Sequence, residues 1–178
     1  MHKLSKKNIK VGVLGGTFDP PHIGHLNIAK FALKKFKLNR LMWVVTKRNP
    51  FKNKPHLKIK TRIKLSKKIT DKEKKIIVRY FDDKIKTSST FDLLNYIKRK
   101  QKNTKLYFLI GADNLIKFHK WHNWKKIPKL AKIVVFPRKN YLNEKNKYIV
   151  SKSLKKKDLI YINSKKVNIS SSLIRKFW

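Results

Sequence analysis

The sequence predicts an α/β fold with a mainly parallel, doubly wound sheet and helices on both faces. Three observations lead to this fold class. Short apolar runs at 11–14, 41–45 and 106–110 are typical of buried strands. Segments with helical apolar spacing lie between such runs, and a strand, a crossover helix and a second strand form a βαβ unit. Glycines follow two of the runs, at the strand ends where open α/β sheets bind ligands.

The elements follow in the order that this fold requires. A strand at 9–14 and a helix at 22–36 lead to the strand at 41–45, and the polar loop 46–55 then leaves on the ligand side of the sheet. Serines and threonines at 87–90 precede an apolar helix and are typical of an N-cap. The remaining elements are a helix over 61–69, strands over 76–78, 106–110, 131–136 and 159–162, and a variable helix or loop over 140–157.

The composition narrows the class of protein. A chain of 178 residues with 40% hydrophobic residues suits a single domain, 1–178, with a real core, and a disordered chain is excluded. No apolar run is long enough to span a membrane, and the basic N-terminus lacks the apolar region of a signal peptide. Cysteine is absent, which excludes disulfides and thiolate metal sites. We therefore expect a cytoplasmic protein.

The net charge of +39 makes nucleic-acid binding a function to consider. The lysines, however, are spread over the whole chain and form neither a stripe nor a tail. Together with abundant Asn and Ile, this usage also fits codon drift in an AT-rich genome. We expect no specific nucleic-acid partner, although the positive field would help to gather anionic substrates.

The segment 15–26, Gly-Gly-Thr-Phe-Asp-Pro-Pro-His-Ile-Gly-His-Leu, joins the first strand to the first helix. Gly15 and Gly16 allow a ligand to approach the backbone closely, because no Cβ intervenes. His22 and His25 are three residues apart and share a face of the helix. Two imidazoles beside a glycine turn and a helix N-terminus suit a phosphate group. The alternative interpretation is a glycine turn with two surface histidines.

This segment resembles the (H/T)xGH signature of the nucleotidyltransferase superfamily, and its fuller form resembles the bacterial nicotinate-nucleotide adenylyltransferases. Three later segments carry the same resemblance, in order: 88–94, 111–124 and 169–175. The resemblance implies a Rossmann-like fold and adenylyl transfer from ATP to nicotinate mononucleotide. The products would be pyrophosphate and nicotinic acid adenine dinucleotide, a step of NAD biosynthesis. The alternatives are nicotinamide mononucleotide or phosphopantetheine as acceptor, or a nucleic-acid-binding protein on this fold.

The resemblance also implies the site residues. The catalytic residues would be His22, His25 and Arg175. The residues that bind ATP would be Gly15, Gly16, Thr17, Phe18, Gly24, Ile169, Ser170, Ser171 and Ser172. Those that bind nicotinate mononucleotide would be Lys52, Thr90, Gly111, Asp113, Trp121 and His122. Mg²⁺ is expected to arrive on the triphosphate of ATP, without a metal site built from protein side chains.

Several of these assignments have alternatives at this level. Lys52 competes with Lys47, Arg48 and Lys54 for the acceptor phosphate. Asp113 is also a plausible N-cap of the helix that follows Gly111. Trp121 and Trp124 are three apart and share a face if their segment is helical, so both could pack in the core. The last helix, which ends at Trp178, is expected to be short.

Overall fold

A computed structural model describes residues 9–137 and 149–163. Within these residues, six strands form one sheet. The strands are β1 (Ile9–Gly16), β2 (Arg40–Val45), β3 (Ile76–Arg79), β4 (Thr104–Gly111), β5 (Ala131–Phe136) and β6 (Leu159–Tyr161). The α-helices are α1 (Ile23–Lys35), α2 (Ile59–Thr70), α3 (Asp82–Ile85), α4 (Thr90–Lys100), α5 (Ala112–Leu115), α6 (Ile127–Leu130) and α7 (Ile149–Ser153).

The strand order across the sheet is β3-β2-β1-β4-β5-β6, and every neighbouring pair is parallel. The chain moves outward from β1 to β3 on one side of the sheet and from β4 to β6 on the other. The direction of winding therefore changes between β1 and β4, which is where doubly wound sheets bind their ligands. The predicted parallel, doubly wound fold is confirmed.

The strands are buried on both faces because their side chains alternate between two apolar cores. On one face, Val13 and Phe108 pack in a cluster with Leu94 of α4. On the other face, Trp43 packs in a cluster with Ala29 of α1. The helices therefore cover both sides of the sheet, and its carboxyl edge is left to the loops.

Two local features of the structure bear on the site. Gly15 and Gly16 are the last two residues of β1, so the strand extends further than expected. The segment 118–127 is not one helix: it forms two 3₁₀ turns, Phe118–Lys120 and Trp124–Lys126, followed by α6. Asn123, between the turns, has a left-handed φ of 50°, which a continuous helix does not allow. Trp121 and Trp124 consequently do not share a helix face.

Candidate active site

A cleft of about 1080 Å³ opens at the carboxyl edge of the sheet. Its walls come from the segments that follow β1, β2, β3 and β4, so it lies over the point where the winding changes direction. The predicted site residues that line it are Gly15, Gly16, Thr17, Phe18, His25, Lys52, Thr90, Gly111, Asp113, Trp121 and His122. Residues from four separate stretches of sequence thus face one space.

The end of β1 forms one wall of the cleft. A Cβ on Gly15 would meet nothing closer than the Cε2 atom of Phe108, at 4.0 Å, so this backbone faces open space. A Cβ on Gly16 would lie 3.3 Å from the Cζ atom of Phe18, so the Phe18 ring lies over that glycine. Phe18 has a left-handed φ of 48° and stacks on Trp43 with 4.5 Å between ring centroids. Gly15 therefore leaves the backbone open to the cleft, and Gly16 allows the Phe18 ring to pack closely.

The two histidines of the motif occupy different environments. His22 is the N-cap of α1, is 5% exposed and is not among the lining residues, whereas His25 lines the cleft. The two rings stack with centroids 3.7 Å apart. The backbone N–H of His22 donates to Nδ1 of His25 over 3.3 Å, which places the proton of a neutral His25 ring on Nε2. Gly24 is buried in the first turn of α1 between them.

The basic residues of the loop after β2 differ in whether they line the cleft. Arg48, Lys52 and Lys54 line the cleft, while Lys47 does not. The ammonium of Lys47 pairs instead with the carboxylate of Asp83, at 2.9 Å. The Lys52 ammonium lies 3.8 Å from a carboxylate oxygen of Asp113, so this ion pair joins the loop after β2 to the segment after β4.

The segments after β3 and β4 line the cleft with hydroxyls and aromatic rings. Ser89 is the N-cap of α4, and its hydroxyl accepts the backbone N–H of Asp92 over 3.4 Å. Thr90, the first residue of that helix, lines the cleft. Trp121 packs against Phe118 with 5.0 Å between ring centroids and also lines the cleft, which Trp124 does not. Trp121 thus faces the cleft as well as the core, whereas Trp124 packs against the core alone.

The rest of the predicted site lies outside the described residues. This applies to Ile169, Ser170, Ser171, Ser172 and Arg175, and to the predicted last helix. Among residues 9–137 and 149–163, no group of three or more His, Cys, Asp or Glu side chains is arranged to hold a metal ion. In the same part of the chain, no helix has both the length and the apolar character to cross a membrane.

The chain was compared with known proteins. A family model described as cytidylyltransferase-like matches residues 13–177. A probable nicotinate-nucleotide adenylyltransferase of Pelagibacter ubique (strain HTCC1062) is 46% identical over 175 residues, which cover 98% of this chain and 97% of that protein. This chain belongs to the cytidylyltransferase-like family, among the nicotinate-nucleotide adenylyltransferases.

A second relative supports this membership, and a solved structure shows the same fold. A probable nicotinate-nucleotide adenylyltransferase of Aquifex aeolicus (strain VF5) is 32% identical over 164 residues, or 90% of this chain and 98% of that protein. The structure of Plasmodium falciparum nicotinic acid mononucleotide adenylyltransferase complexed with NaAD superposes with a TM-score of 0.79 at 21% identity. That match covers 95% of this chain and 83% of the other. At this identity the structural match shows the shared fold alone.

Three residues at the site of this adenylyltransferase-family chain were missed by the sequence reasoning: Asp19, Arg62 and Asp82. Each is at most 6% exposed, and each bonds backbone groups of the loops that border the cleft. Arg62 could have been found from its spacing. It occupies the inward stripe of α2 with Ile59, Ile63 and Ser66, at positions that amphipathic helices normally fill with apolar residues.

The Lys47–Asp83 pair beside the cleft shifts the pKa values of its members. The hydrogen bond from Lys47 lowers the pKa of Asp83, and the hydrogen bond to Asp83 raises the pKa of Lys47. Burial, followed by the hydrogen bond to Asp83, raises the pKa of Tyr80 to about 12. Because the pKa of Asp83 lies below its ordinary value, the pair contributes stability at neutral pH and loses it as the pH falls through that lowered pKa.

Proposed function

We propose that this chain transfers the adenylyl group of ATP to nicotinate mononucleotide, which gives nicotinic acid adenine dinucleotide and pyrophosphate. The observation that carries the proposal is the cleft, which brings Gly15 and His25 into one space with Thr90 and Trp121. Its volume of about 1080 Å³ lies at the upper end of the roughly 300–1,000 Å³ that is usual for small-molecule sites. The relatives described above carry the name of this activity.

The reaction needs no general base from the protein. A phosphate oxygen of the mononucleotide, already ionised at neutral pH, attacks the α-phosphorus of ATP. A new P–O bond forms, and the bond from the α-phosphorus to the oxygen bridging to the β-phosphate breaks. Pyrophosphate leaves with the bonding electron pair. Catalysis therefore rests on holding the two phosphates in line and on offsetting the charge of the transition state.

We assign the ATP half of the site to the segment after β1. His25 would donate from Nε2 to the α- or β-phosphate oxygens as negative charge develops there. Gly15, Gly16 and Thr17 would pass beneath the nucleotide, with Phe18 packing behind them. His22 would act through its contact with His25. On sequence grounds alone, Ser170, Ser171, Ser172 and Arg175 would hold the β- and γ-phosphates, beside Ile169.

We assign the acceptor half to the part of the cleft that the segments after β2, β3 and β4 line. Trp121 would stack on the pyridine ring, beside His122 and Thr90, and Gly111 and Asp113 would face the ribose. Lys52 would bind the acceptor phosphate. It lines the cleft, and its ammonium reaches Asp113, which lines the cleft after β4. Arg48 and Lys54 also line the cleft and compete for that phosphate, whereas Lys47 is paired with Asp83.

The proposal includes Mg²⁺ bound to the phosphates of ATP. The ion prefers phosphate and water oxygens, and it usually reaches such sites through one or two carboxylates and the substrate phosphates. We propose the magnesium complex of ATP as the substrate, and the cytoplasm as the place where the reaction occurs.

The proposal is tested by measuring pyrophosphate release from ATP and Mg²⁺ with one acceptor at a time. Release is expected with nicotinate mononucleotide. Release only with nicotinamide mononucleotide or with phosphopantetheine would move the assignment to another adenylyltransferase. No release with any of the three acceptors would refute adenylyl transfer.

Gly15→Ala tests the open wall. Because the nearest atom to the new Cβ is 4.0 Å away, we expect the melting temperature to stay close to that of the wild type. The methyl group would enter the space of the nucleotide and raise the KM for ATP by about 3- to 10-fold, which corresponds to roughly 0.7–1.4 kcal/mol.

Gly12→Ala is the matched control, since Gly12 is in the same strand. A Cβ there would lie 2.8 Å from the buried Leu38, so we expect a loss of about 1–3 kcal/mol of stability and an unchanged KM for ATP. An unchanged KM for ATP in Gly15→Ala would contradict the assignment of Gly15 to the ATP site.

A further inference from the structure

Arg62 is a buried cation behind the cleft. It lies in the first turn of α2, is 2% exposed, and donates four hydrogen bonds to backbone carbonyls. Nε bonds Leu57 at 3.0 Å, and Nη2 bonds Lys47 at 2.9 Å. Nη1 bonds both Thr17 at 2.6 Å and Thr46 at 2.7 Å. These charge-assisted bonds offset much of the cost of taking the guanidinium out of water.

The four carbonyls belong to two different loops. Thr17 follows β1, in the segment assigned to ATP. Thr46 and Lys47 begin the loop that follows β2, and Leu57 ends it. One side chain therefore ties the segment after β1 and the loop after β2 to each other and to α2. The loop 46–57 carries Lys52 at its centre, so Arg62 determines where both ends of that loop are anchored.

Two carboxylates accept backbone N–H groups at the same two ends of the loop. Asp19 accepts the backbone N–H groups of His56 and Leu57, each at 2.8 Å, and Asp82 accepts that of Lys47 at 2.8 Å. At both ends of the loop, a residue thus gives its carbonyl to Arg62 and its N–H to an aspartate. Burial lowers the pKa of Arg62, and the charges of Asp19 and Asp82 raise it in part.

We infer that Arg62 is a positioning residue, which fixes the loop 46–57 against Thr17 so that the acceptor phosphate and the α-phosphate of ATP meet in line. This inference rests on the proposed function for the identity of the substrates. Its structural part, the anchoring of the loop, concerns the unliganded protein and is testable without any substrate.

Arg62→Lys is the informative variant. Lysine keeps the positive charge between the two aspartates, but an ammonium has three donors on one atom and does not reproduce the planar fork that reaches four carbonyls. A role in charge balance alone would therefore survive the change, whereas anchoring would not. Arg40→Lys is the matched control: Arg40 begins β2 at the opposite edge of the sheet and bonds Gln101 at 2.9 Å.

The first measurement is amide hydrogen exchange in the unliganded protein. In Arg62→Lys, the amides of Lys47, His56 and Leu57 are expected to exchange at least about tenfold faster, while amides within β4 keep their rates. Arg40→Lys is expected to leave the loop amides unchanged. Unaltered protection of the three amides in Arg62→Lys would overturn the anchoring.

The second measurement is the kinetic split between the substrates. Three of the four carbonyls belong to the loop that carries Lys52, so the KM for nicotinate mononucleotide is expected to rise at least about fivefold, and that for ATP less than about twofold. Equal increases in both, or no increase, would overturn the positioning role. A wild-type protein without adenylyl transfer would refute the proposed function, while hydrogen exchange would still decide the anchoring.

A second variant covers the case in which Arg62→Lys does not fold. Asp19→Asn leaves Arg62 in place and weakens the hold on one end of the loop. It is expected to speed exchange at the amides of His56 and Leu57, which donate to Asp19. The amide of Lys47 is expected to keep its rate, because it donates to Asp82. Unaltered exchange at His56 and Leu57 would show that this cluster of side chains does not hold the end of the loop, and would overturn the inference.

Discussion

Replacing His25 by alanine is expected to lower kcat for adenylyl transfer by about 10²- to 10³-fold, the usual cost of removing one donor to transition-state charge. The ring lines the cleft, and the His22 N–H bonded to its Nδ1 leaves a proton on Nε2 to donate. Phe18 and Trp43 pack edge-on against the ring, with centroids 4.9 and 6.0 Å away, and hold its orientation. The measurement is steady-state pyrophosphate release, with the melting temperature as the test of folding.

His119→Ala is the matched control for this change. His119 is partly buried but does not line the cleft, so its removal is expected to leave kcat nearly unchanged. His25→Gln supplies a second variant, because its amide still offers a donor; kcat should fall between that of the wild type and that of alanine. A folded His25→Ala protein with less than about a tenfold loss would rule out the proposed role.

Replacing Trp121 by alanine is expected to raise the KM for nicotinate mononucleotide by about 10- to 100-fold, since aromatic stacking on a base contributes roughly 1–3 kcal/mol. The KM for ATP should change little, because Trp121 follows β4, whereas the lining residues assigned to ATP follow β1. Separate titrations of the two substrates in the same assay measure the difference. Trp121→Phe retains a ring and is expected to recover most of the loss.

Trp124→Ala separates substrate stacking from packing. Trp124 contacts Phe118 with 6.3 Å between ring centroids, packs against the same core and does not line the cleft. We expect it to lower stability with both KM values unchanged. If Trp121→Ala raised both KM values equally, or behaved like Trp124→Ala, the stacking role would be refuted.

The fold was predictable to a large extent because its signals are local. The apolar runs that became β2 and β4 are buried on both faces, and such strands need no knowledge of their neighbours to be identified. The two 3₁₀ turns on either side of Asn123 were not predicted, and its left-handed backbone excludes the shared helix face that the spacing of Trp121 and Trp124 allowed. The short helix α3 was not predicted either, since four residues carry too weak a periodic signal.

The sequence assigned His22 and His25 one role, and it left Lys52 in competition with three other basic residues for the acceptor phosphate. The structure separates both sets. His22 is buried at the start of α1 while His25 lines the cleft, and Lys47 is drawn to Asp83 while Lys52 reaches Asp113. These distinctions depend on the direction of each side chain and on partners supplied by other segments.

By itself, the sequence determined the order of strands and helices, the family, and the residue types of the candidate site, because periodicity and motif spacing are properties of contiguous stretches. Only the tertiary structure decided which residues share the cleft and what holds it in shape. Arg62 bonds a carbonyl 45 positions away at Thr17, and Asp19 bonds an amide 38 positions away at Leu57. Such bonds follow from how the strands are ordered in the sheet, which no single stretch of the sequence records.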